Sequence, residues 1–369
     1  MADRVLVIGG TGPTGVNIVA GLVERGWDVT IMHRGLHERS ETPPGVPHLH
    51  ADPFDASAVT DVAAGPPFDL VMAMYGRLRR IAEAFEGRCG RFLSVGGVPA
   101  HRGWMNPWAY DPPGLPVPIP EDGPTVEDPV DDEKGFRVAQ SEDAVFRHHP
   151  DATHFRYPYM YGPYQPVPRE WSIVRRVLDG RGRMVVADGG LTLHHHGYTA
   201  NVAHAVLLAV DRPGAAAGRI YNVGDDEVLT IAQVITIAAA ALGAEIELVS
   251  MPYDLAVPAR PLMTQPLPTH RVLDLTRLRS ELGYRDLVPA RQAVGLTARW
   301  LADNPLAPDA PEARVLGDPF DYGAEDALMD AWAGALATVP EVDFHPAPTY
   351  GSAYSGPGGR PRTHAHFEQ

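Results

Sequence analysis

Hydrophobic positions in the first half of the chain alternate between short apolar runs and amphipathic stretches. The run "RVLVIGG" is continuous and ends in glycines, which is typical of a buried parallel strand. The next stretch, "TGVNIVAGLVERG", has apolar residues at helical spacing and reaches a glycine where a helix would end. Further strands are predicted in "WDVTIMHRG", "PFDLVMAMYG", "GRFLSVGG" and "ATHFRYPYMYGP". Alternating strands and helices predict an α/β fold with a doubly wound parallel sheet of the Rossmann type.

From about residue 165 the pattern changes to longer helices separated by short strands. Helical spacing is clear in "REWSIVRRVLDG", "GYTANVAHAVLLAVD", "LTIAQVITIAAAALG" and "ARQAVGLTARWLAD". We therefore predict a sheet domain over residues 1–164 and a smaller second domain over 165–305, which returns a strand and a helix to the first. The extension over 306–369 contains one helical stretch, "AEDALMDAWAGALATV". Its Gly/Pro/His-rich end is expected either to be partly disordered or to form an arm.

Charge and composition narrow the classes of partner. The 369-residue chain carries a formal net charge of −15, with a sequence pI near 5.5. This acidity argues against nucleic acids and anionic membrane surfaces, which both attract basic proteins. No apolar run approaches the roughly 20 residues of a membrane-spanning helix, and the first residues lack a signal-peptide pattern. The single cysteine, Cys89, fits a reducing compartment, so we expect a cytoplasmic protein with a small-molecule partner.

A glycine-rich motif lies between the first predicted strand and the first helix. In "GGTGPTG", Gly9, Gly12 and Gly15 allow a sharp turn and a close approach of the backbone to a ligand. Together with Pro13 and Thr14, they would hold a pyrophosphate at the helix N-terminus. We therefore predict that residues 1–164 bind a dinucleotide and that 165–305 mainly bind the substrate.

The end of the second predicted strand favours NADP, with NAD as the other possibility. NAD-binding domains usually have a carboxylate there, which binds the ribose hydroxyls. This strand instead ends in His33 and Arg34, and a guanidinium suits a ribose 2′-phosphate. Asp52, in "HADPFD", lies where such folds often contact adenine.

Several segments together resemble the extended short-chain dehydrogenases/reductases, in the branch of NAD-dependent epimerases and dehydratases. The resemblance covers roughly residues 4–305 and rests on "GGTGPTG", "PEDGPTVED", "FRYPYMYGP", "HGYTANVAHAV" and "IYNVGDDEVLTIAQV". It implies that Tyr75, Gly97 and Tyr157, near the ends of later strands, contact the cofactor. It also implies a homodimer formed through helices next to the catalytic segment.

The catalytic residues of that family are absent from this chain. The family uses a Tyr-x-x-x-Lys pair with a serine or threonine for its proton transfers. Lys134 is the only lysine, and position 130, where the tyrosine would be needed, is Val130. Gly96 and Gly97 stand where the strand should end in serine. The chain therefore resembles an atypical member of the family.

Two registers of the catalytic helix are possible. In one, Lys134 and Val138 take the places of the family tyrosine and lysine; in the other, Phe136 and Gln140 do. Lys134 is itself a catalytic candidate, because a lysine beside a cationic nicotinamide or in a dry pocket loses its proton near neutral pH. The alternative is a solvated side chain at a helix start.

Histidines supply further candidates. The stretch "LTLHHHGY" contains three consecutive histidines, of which only His194 and His196 can share one face of a strand. No carboxylate lies nearby at ligand spacing, so we predict no metal site. His196 is the preferred acid/base residue, because imidazole titrates near neutrality. Family geometry would place His101 and Tyr110, in the loop after the fifth strand, over the nicotinamide.

The sequence thus predicts an NAD(P)-dependent enzyme that acts on a small oxygenated substrate, nucleotide-sugar-like or a secondary-metabolite intermediate. Bound nicotinamide allows two reaction types, a net oxidoreductase or a redox-neutral epimerase, dehydratase or isomerase. The alternative is a non-catalytic NADP-binding sensor or scaffold, as the missing family residues would suggest.

Overall fold

A computed structural model of the protein describes residues 2–36, 38–74, 76–263 and 265–345. The chain forms two compact units, residues 1–320 and 321–369. The predicted domains 1–164 and 165–305 both lie within the first unit, and the division between them stays a prediction. Among the described residues, no helix is long and apolar enough to cross a membrane.

The described residues form strands of three to nine residues. In chain order these are β1 (Arg4–Ile8), β2 (Asp28–His33), β3 (His48–His50), β4 (Phe68–Ala73), β5 (Cys89–Gly97), β6 (Thr153–Tyr157), β7 (Tyr159–Tyr161), β8 (Arg183–Ala187), β9 (His196–Tyr198), β10 (Arg219–Asn222) and β11 (Glu247–Met251).

Helices connect most of these strands. They are α1 (Gly15–Glu24), α2 (Ala56–Ala63), α3 (Leu78–Ala84), α4 (Glu133–His148), α5 (Trp171–Leu178), α6 (Thr199–Asp211), α7 (Pro213–Ala216), α8 (Ile231–Ala241), α9 (Arg260–Met263), α10 (Thr276–Leu282), α11 (Ala290–Asp303), α12 (Pro311–Leu316) and α13 (Tyr322–Ala337).

Seven parallel strands form the main sheet, in the order β10-β6-β5-β4-β1-β2-β3. Strand β1 pairs with β2 on one side and with β4 on the other, so the order reverses at β1. Such a reversal opens a crevice at the carboxyl ends of the strands, where ligands of doubly wound folds bind. The predicted α/β fold with a doubly wound parallel sheet is confirmed.

Apolar residues on both faces explain why the central strands are continuous hydrophobic runs. Val5 and Val7 of β1 pack in a core with α1 and α6 on one face of the sheet. Leu6 and Ile8 pack with residues of α2, α3 and α4 on the other. All four side chains are fully buried, as expected for a strand covered on both faces.

The second half of the first unit adds two small parallel sheets. Strand β8 pairs with β11, and β7 pairs with β9. Helices α5, α8 and α11 contribute to a separate apolar core beside these sheets. A single residue separates β6 from β7, so the chain passes from the main sheet directly into a small one.

In the second unit, the described residues contain helix α13, which overlaps the stretch 324–339 where the sequence predicts a helix. The helix begins where the Asp321 side chain accepts a hydrogen bond from the backbone N–H of Ala324, at 3.1 Å. The Gly/Pro/His-rich end, residues 346–369, lies outside the described residues.

Candidate active site

The glycine loop joins β1 to α1 with the features that a pyrophosphate site requires. Gly9 has a φ of +92°, a left-handed conformation that glycine adopts without strain. A Cβ on Gly15 would lie 2.6 Å from the carbonyl of Gly10, so no side chain fits there. A Cβ on Gly12 would come no closer than 3.5 Å to a described atom outside its neighbours, namely the carbonyl oxygen of Gly9. Gly15 therefore shapes the turn, and Gly12 leaves room at its surface.

The start of α1 adds backbone donors to this loop. No side chain caps the helix N-terminus, where Thr14 is the capping residue. The first backbone N–H groups of a helix have no partner within it and attract anions. With half-buried Pro13 and buried Thr14, the loop fits the pyrophosphate of a dinucleotide.

His33 and Arg34 lie at the end of β2, as predicted, but the His33 ring makes its contacts within the chain. Its Nε2 lies 2.8 Å from Nδ1 of His48, and its Nδ1 accepts a hydrogen bond from the Gly35 N–H at 3.1 Å. Arg34 is exposed. Asp52 is half-buried and accepts a hydrogen bond from the Phe54 N–H at 3.0 Å. The cofactor roles of these residues stay predictions, with Arg34 more accessible to a phosphate than His33.

Two further cofactor candidates lie side by side at the ends of β5 and β6. Gly97 pairs with Tyr157 in the parallel register of these strands. Burial raises the pKa of the Tyr157 hydroxyl, and a contact with Thr14 of the glycine loop partly offsets that effect. The structure therefore brings Tyr157 and the glycine loop together. Tyr75 lies outside the described residues.

A buried network of ionisable side chains lies between β5, β6 and α4. Ser94 Oγ is 2.8 Å from Nδ1 of His154, whose Nε2 is 3.5 Å from Oε1 of Glu142. Arg156 donates to both Glu142 carboxylate oxygens, at 2.9 and 2.7 Å. Burial alone would raise the pKa of Glu142, but the nearby His154 and the hydrogen bonds from Arg156 outweigh it and hold the pKa at about 2.

This network leaves no room for a side chain at residue 96 of β5. Gly96 lies on the same face of β5 as Ser94, and a Cβ there would be 2.6 Å from His154 Nε2. The imidazole occupies the space that a serine side chain would need.

His101 is fully buried at the edge of this network. Its Nε2 lies 3.0 Å from Asn222 Oδ1 and 3.3 Å from Nη1 of Arg156. Burial, reinforced by the nearby Arg156 charge, lowers the His101 pKa to about 4. The imidazole is therefore neutral near pH 7 and belongs to the protein interior, and its predicted catalytic role stays untested.

Lys134 is exposed in the first turn of α4. The helix begins where the Asp132 side chain accepts a hydrogen bond from the Gly135 N–H at 2.9 Å. Val138, one turn further on, lines a groove together with Gly96 and Gly97. Both registers of this helix stay predictions. Exposure makes Lys134 a solvated side chain in the described structure, and its catalytic role stays a prediction.

The groove beside Val138 has a volume of about 830 Å³ and runs between α3 and α4. Gly96 and Gly97 form part of its wall. Its other lining residues include five arginines, namely Arg77, Arg79, Arg80, Arg137 and Arg147. The groove is thus cationic on a chain that is acidic overall.

The three consecutive histidines, in β9 and the residues just before it, point alternately to opposite faces, as the sequence predicts. The rings of His194 and His196 lie 5.0 Å apart, and Tyr159 of β7 lies 4.6 Å from His194. His195 points to the other side. Its Nε2 lies 2.8 Å from the carbonyl oxygen of Asp225, and its Nδ1 accepts a hydrogen bond from Leu273 N–H at 3.0 Å. His195 is therefore structural, and its pKa, lowered mainly by burial, is about 4.

Cationic side chains surround the His194–His196 pair. The Arg169 guanidinium lies 3.9 Å from the Tyr159 ring centroid. The Arg271 side chain is held by the carbonyl oxygen of Trp104, at 2.8 Å. Burial, with Arg169 as a further cause, lowers the pKa of both His194 and His196 well below 6.5. Both imidazoles are therefore neutral at pH 7.

Several buried polar atoms of this cluster have no hydrogen-bond partner among the described residues. They are Nε2 of His194, Nε2 of His196, Oε1 of Gln265 and Nη2 of Arg271. Buried polar groups are nearly always paired, so a group of unpaired atoms indicates a place for water or a ligand. We call this group, with Tyr159 and Arg169, the histidine cluster.

The pattern of the sequence places His194 beside His196 but does not indicate the other residues of the cluster. Arg169, Gln265 and Arg271 come from segments up to about a hundred residues apart, and only the fold brings them to one place. The proline-rich connector around residues 257–268 was a partial signal, because such loops often cover ligand sites. Tyr110 packs against Gly103 and lies 5.8 Å from the Arg102 guanidinium. Its predicted catalytic role also stays untested.

Comparisons with known proteins agree on the fold. No family model matches the chain. The uncharacterized protein YbjS of Escherichia coli is 27% identical over 170 residues, which cover 40% of this chain and 49% of YbjS. The match thus spans about half the length of that curated relative.

Solved structures match over most of the chain. The enzyme WbmG of Bordetella bronchiseptica, in complex with NAD, has a TM-score of 0.63 and 17% identity, covering 82% of this chain and 95% of its own. The Thermotoga maritima UDP-glucose 4-epimerase, with UDP-glucose, has a TM-score of 0.61 and 18% identity, covering 82% and 99%. The Bacillus anthracis dTDP-glucose 4,6-dehydratase, with NAD, has a TM-score of 0.62 and 14% identity, covering 82% and 98%. The chain therefore has the fold that the resemblance implied.

Proposed function

We propose that the protein is an NAD(P)-dependent enzyme that acts on a small, oxygen-rich substrate at the histidine cluster. The observation that supports this most directly is the set of unpaired buried polar atoms in that cluster. The cluster begins at Tyr159, two residues after Tyr157, which contacts the glycine loop. Cofactor and substrate would then meet at the carboxyl ends of β5 and β6, where doubly wound folds bind ligands.

The cofactor would be held mainly by backbone groups. The loop of Gly9, Gly12 and Gly15 would bind the pyrophosphate, and exposed Arg34 favours a ribose 2′-phosphate, hence NADP over NAD. When bound, the nicotinamide would supply a hydride donor or acceptor. Asp52, Gly97 and Tyr157 remain proposed contacts for the adenine and nicotinamide ends.

His196 is the proposed general base. Its Nε2 has no hydrogen-bond partner in the part of the chain that the structure describes, and the neutral imidazole would accept the proton of a substrate hydroxyl as that carbon is oxidised. Arg271 and Arg169 would orient the oxygen atoms or an anionic group of the substrate. Lys134, His101 and Tyr110 stay candidates of lower rank, because Lys134 is exposed and His101 is buried and bonded.

The proposed substrate class is nucleotide-sugar-like, because two matching enzymes carry names with nucleotide sugars, UDP-glucose and dTDP-glucose. A secondary-metabolite intermediate with similar hydroxyl groups would suit the same cluster. Both reaction types, net redox and redox-neutral, are compatible with a neutral imidazole base. A homodimer and a cytoplasmic location remain predictions.

Two measurements test this proposal. Titration with NADPH and NADH should give saturable binding, weakened in Gly12→Val, where a bulkier side chain would project toward the ligand. Small molecules that copurify should be identified by mass spectrometry and used as substrates. Steady loss of reduced-nicotinamide absorbance would indicate a net reductase, and turnover without that loss would indicate an epimerase, dehydratase or isomerase.

The acid/base role has its own test. His196→Asn should lower turnover by about 10²–10⁴-fold, the usual contribution of a general base, with unchanged cofactor affinity. His204→Asn is the matched control, since His204 is also a half-buried imidazole but lies on α6, 6.1 Å from Tyr284. Equal turnover in both variants would remove His196 from the mechanism.

A second function, a non-catalytic NADP-binding sensor, is favoured by the exposure of Lys134 and by the absence of the family serine and tyrosine. It would bind NADPH normally and show the same lack of turnover in the wild type and in His196→Asn.

A further inference from the structure

Three imidazoles and one carboxylate converge at the edge of the main sheet, apart from the histidine cluster. They belong to His33, Glu38, His48 and His50, and one potential ligand atom from each lies within 4.8 Å of all the others. We propose that these four residues bind a divalent transition-metal ion, with zinc as the reference ion. This goes beyond the proposed function and departs from the sequence prediction of no metal site, which considered only the consecutive histidines.

The strand register creates this group. In the parallel pairing of β2 and β3, His33 lies opposite His50, and Ile31 lies opposite His48. Alternate residues of a strand share one face, so all three imidazoles lie on the same face of the sheet. The connection between the strands brings Glu38 to the same place. The convergence therefore depends on pairing between strands, not on a compact motif such as two histidines one helical turn apart.

The distances between ligand atoms suit a four-coordinate ion after small side-chain adjustments. His33 Nε2 lies 2.8 Å from His48 Nδ1, His50 Nε2 lies 3.0 Å from Glu38 Oε1, and His48 Nδ1 lies 3.9 Å from the same oxygen. Tetrahedral zinc, with bonds of about 2.0–2.2 Å, separates its ligand atoms by about 3.3–3.5 Å. His50 and Glu38 side chains are each 56% exposed and can rotate to meet this spacing.

The ligand types select the class of ion. Three nitrogen atoms and one carboxylate suit zinc, cobalt, nickel or copper, whereas calcium and magnesium prefer sites made of oxygen atoms. The absence of a thiolate also fits, since Cys89 is on β5 rather than at this edge. We therefore expect zinc to bind far more tightly than magnesium.

The hydrogen bonds of His33 indicate which of the four residues would coordinate the metal ion most readily. Because its Nδ1 accepts from the Gly35 N–H, the ring proton lies on Nε2, toward His48 Nδ1. A metal ion could bind His33 Nε2 only if the proton there moved to Nδ1. That move would break the hydrogen bond from the Gly35 N–H. His48, His50 and Glu38 are therefore the primary ligands, and His33 is the fourth.

The test uses the full chain without a polyhistidine tag, stripped with a chelator and titrated with Zn²⁺ against a chromophoric competitor. Wild type should bind one Zn²⁺ with high affinity. Loss of a supporting residue already weakens metal sites by about 10–100-fold, so the double variant His48→Ala/His50→Ala should lose at least about 100-fold. Glu38→Gln should show an intermediate loss, and Mg²⁺ should not compete.

A matched control separates this site from ordinary surface histidines. His148 Nδ1 lies 3.0 Å from Glu86 Oε2, and this imidazole–carboxylate pair belongs to no larger group of described metal-binding side chains. His148→Ala should therefore keep wild-type zinc affinity. Bound Co²⁺ should give the intense visible absorption of a tetrahedral site in wild type and His148→Ala, but not in the double variant.

Thermal unfolding shows whether a variant that loses zinc affinity is still folded. Without metal, the double variant should unfold near the wild-type temperature, because His48 and His50 are partly exposed. With Zn²⁺, only proteins with the intact site should be stabilised. Zinc affinity that persists in the double variant, that falls equally in His148→Ala, or that is absent from the wild type would overturn the proposal.

Discussion

The two ends of the crevice in the main sheet are built in different ways. At the glycine loop, backbone conformation and missing side chains make the site: Gly9 takes a left-handed conformation and Gly15 has no room for a Cβ. Between β5, β6 and α4, buried ionisable side chains form a network, with Glu142 between His154 and Arg156. The glycine loop depends on the room left by missing side chains, and the network depends on the pairing of buried charges.

This difference explains why one end resembles a known family and the other does not. A phosphate site made of backbone groups tolerates almost any surrounding sequence, provided that the glycines remain. A network of buried charges depends on each side chain, and in this chain the His154 imidazole fills the space beside Gly96. The predictions below act on the charged end and spare the loop.

Acidification should produce the largest effect. His101 and His195 have pKa values of about 4 in the folded protein, against 6.5 in the unfolded chain. Between pH 6.5 and 4 the unfolded chain binds more protons than the folded protein. The free energy of unfolding should therefore decrease as the pH is lowered, by roughly 2–3 kcal/mol per histidine at pH 4. Denaturant unfolding at several pH values measures this. His101→Asn should make the profile shallower, and a flat wild-type profile would contradict the argument.

Glu142→Gln should come next in size. The variant leaves Arg156 buried without its counter-charge, which costs about 3–5 kcal/mol. It should also remove the further loss of stability that Glu142, with a pKa of about 2 against 4.5, adds as pH falls through that interval. Glu133→Gln is the control, because Glu133 pairs with Arg137 in an exposed position on the same helix and should cost less than about 0.5 kcal/mol. Similar losses of unfolding free energy in both variants would mean that the buried pair stabilises the fold no more than the exposed pair.

Adding one methyl group at each of two neighbouring glycines should change the stability less, but by different amounts at the two positions. Gly96→Ala should cost about 1–3 kcal/mol, because its Cβ would lie 2.6 Å from His154 Nε2. Gly97→Ala should cost less than Gly96→Ala, since its φ of −153° is extended and its nearest contact, Pro99 Cδ at 3.1 Å, is tight but more distant. Calorimetry and NADPH titration of both variants separate a packing role from a cofactor contact. Equal unfolding temperatures would contradict the steric explanation at Gly96.

Lys134→Ala should have the smallest effect. An exposed side chain at a helix start is expected to change stability by no more than about 0.5 kcal/mol, with NADPH affinity unchanged. Turnover measured beside His196→Asn decides its role. A hundredfold loss in Lys134→Ala would restore the lysine as a catalytic residue.

Local patterns in the sequence predicted most of the fold and one end of the site. Continuous apolar runs correctly predicted β1 and β4, and the glycine spacing predicted the loop before α1. The partners of His196 could not be predicted, because Arg169 and Arg271 reach it only through the pairing of β7 with β9 and the return of a distant loop. The group around His33 was missed for the same reason, since it requires the register of β2 and β3. The exposure of Lys134 depends on which face α4 buries, and the sequence alone allows both a catalytic and a solvated lysine there.

The position of Lys134 makes the protein convenient for chemical labelling. Apart from the chain's α-amino group, its ammonium is the one primary amine, and it is exposed in the first turn of α4. An amine-reactive fluorophore would therefore attach to a single side chain, one helical turn from Val138 in the wall of the arginine-lined groove. Its emission would report when a ligand enters that groove, without any substitution in the sequence.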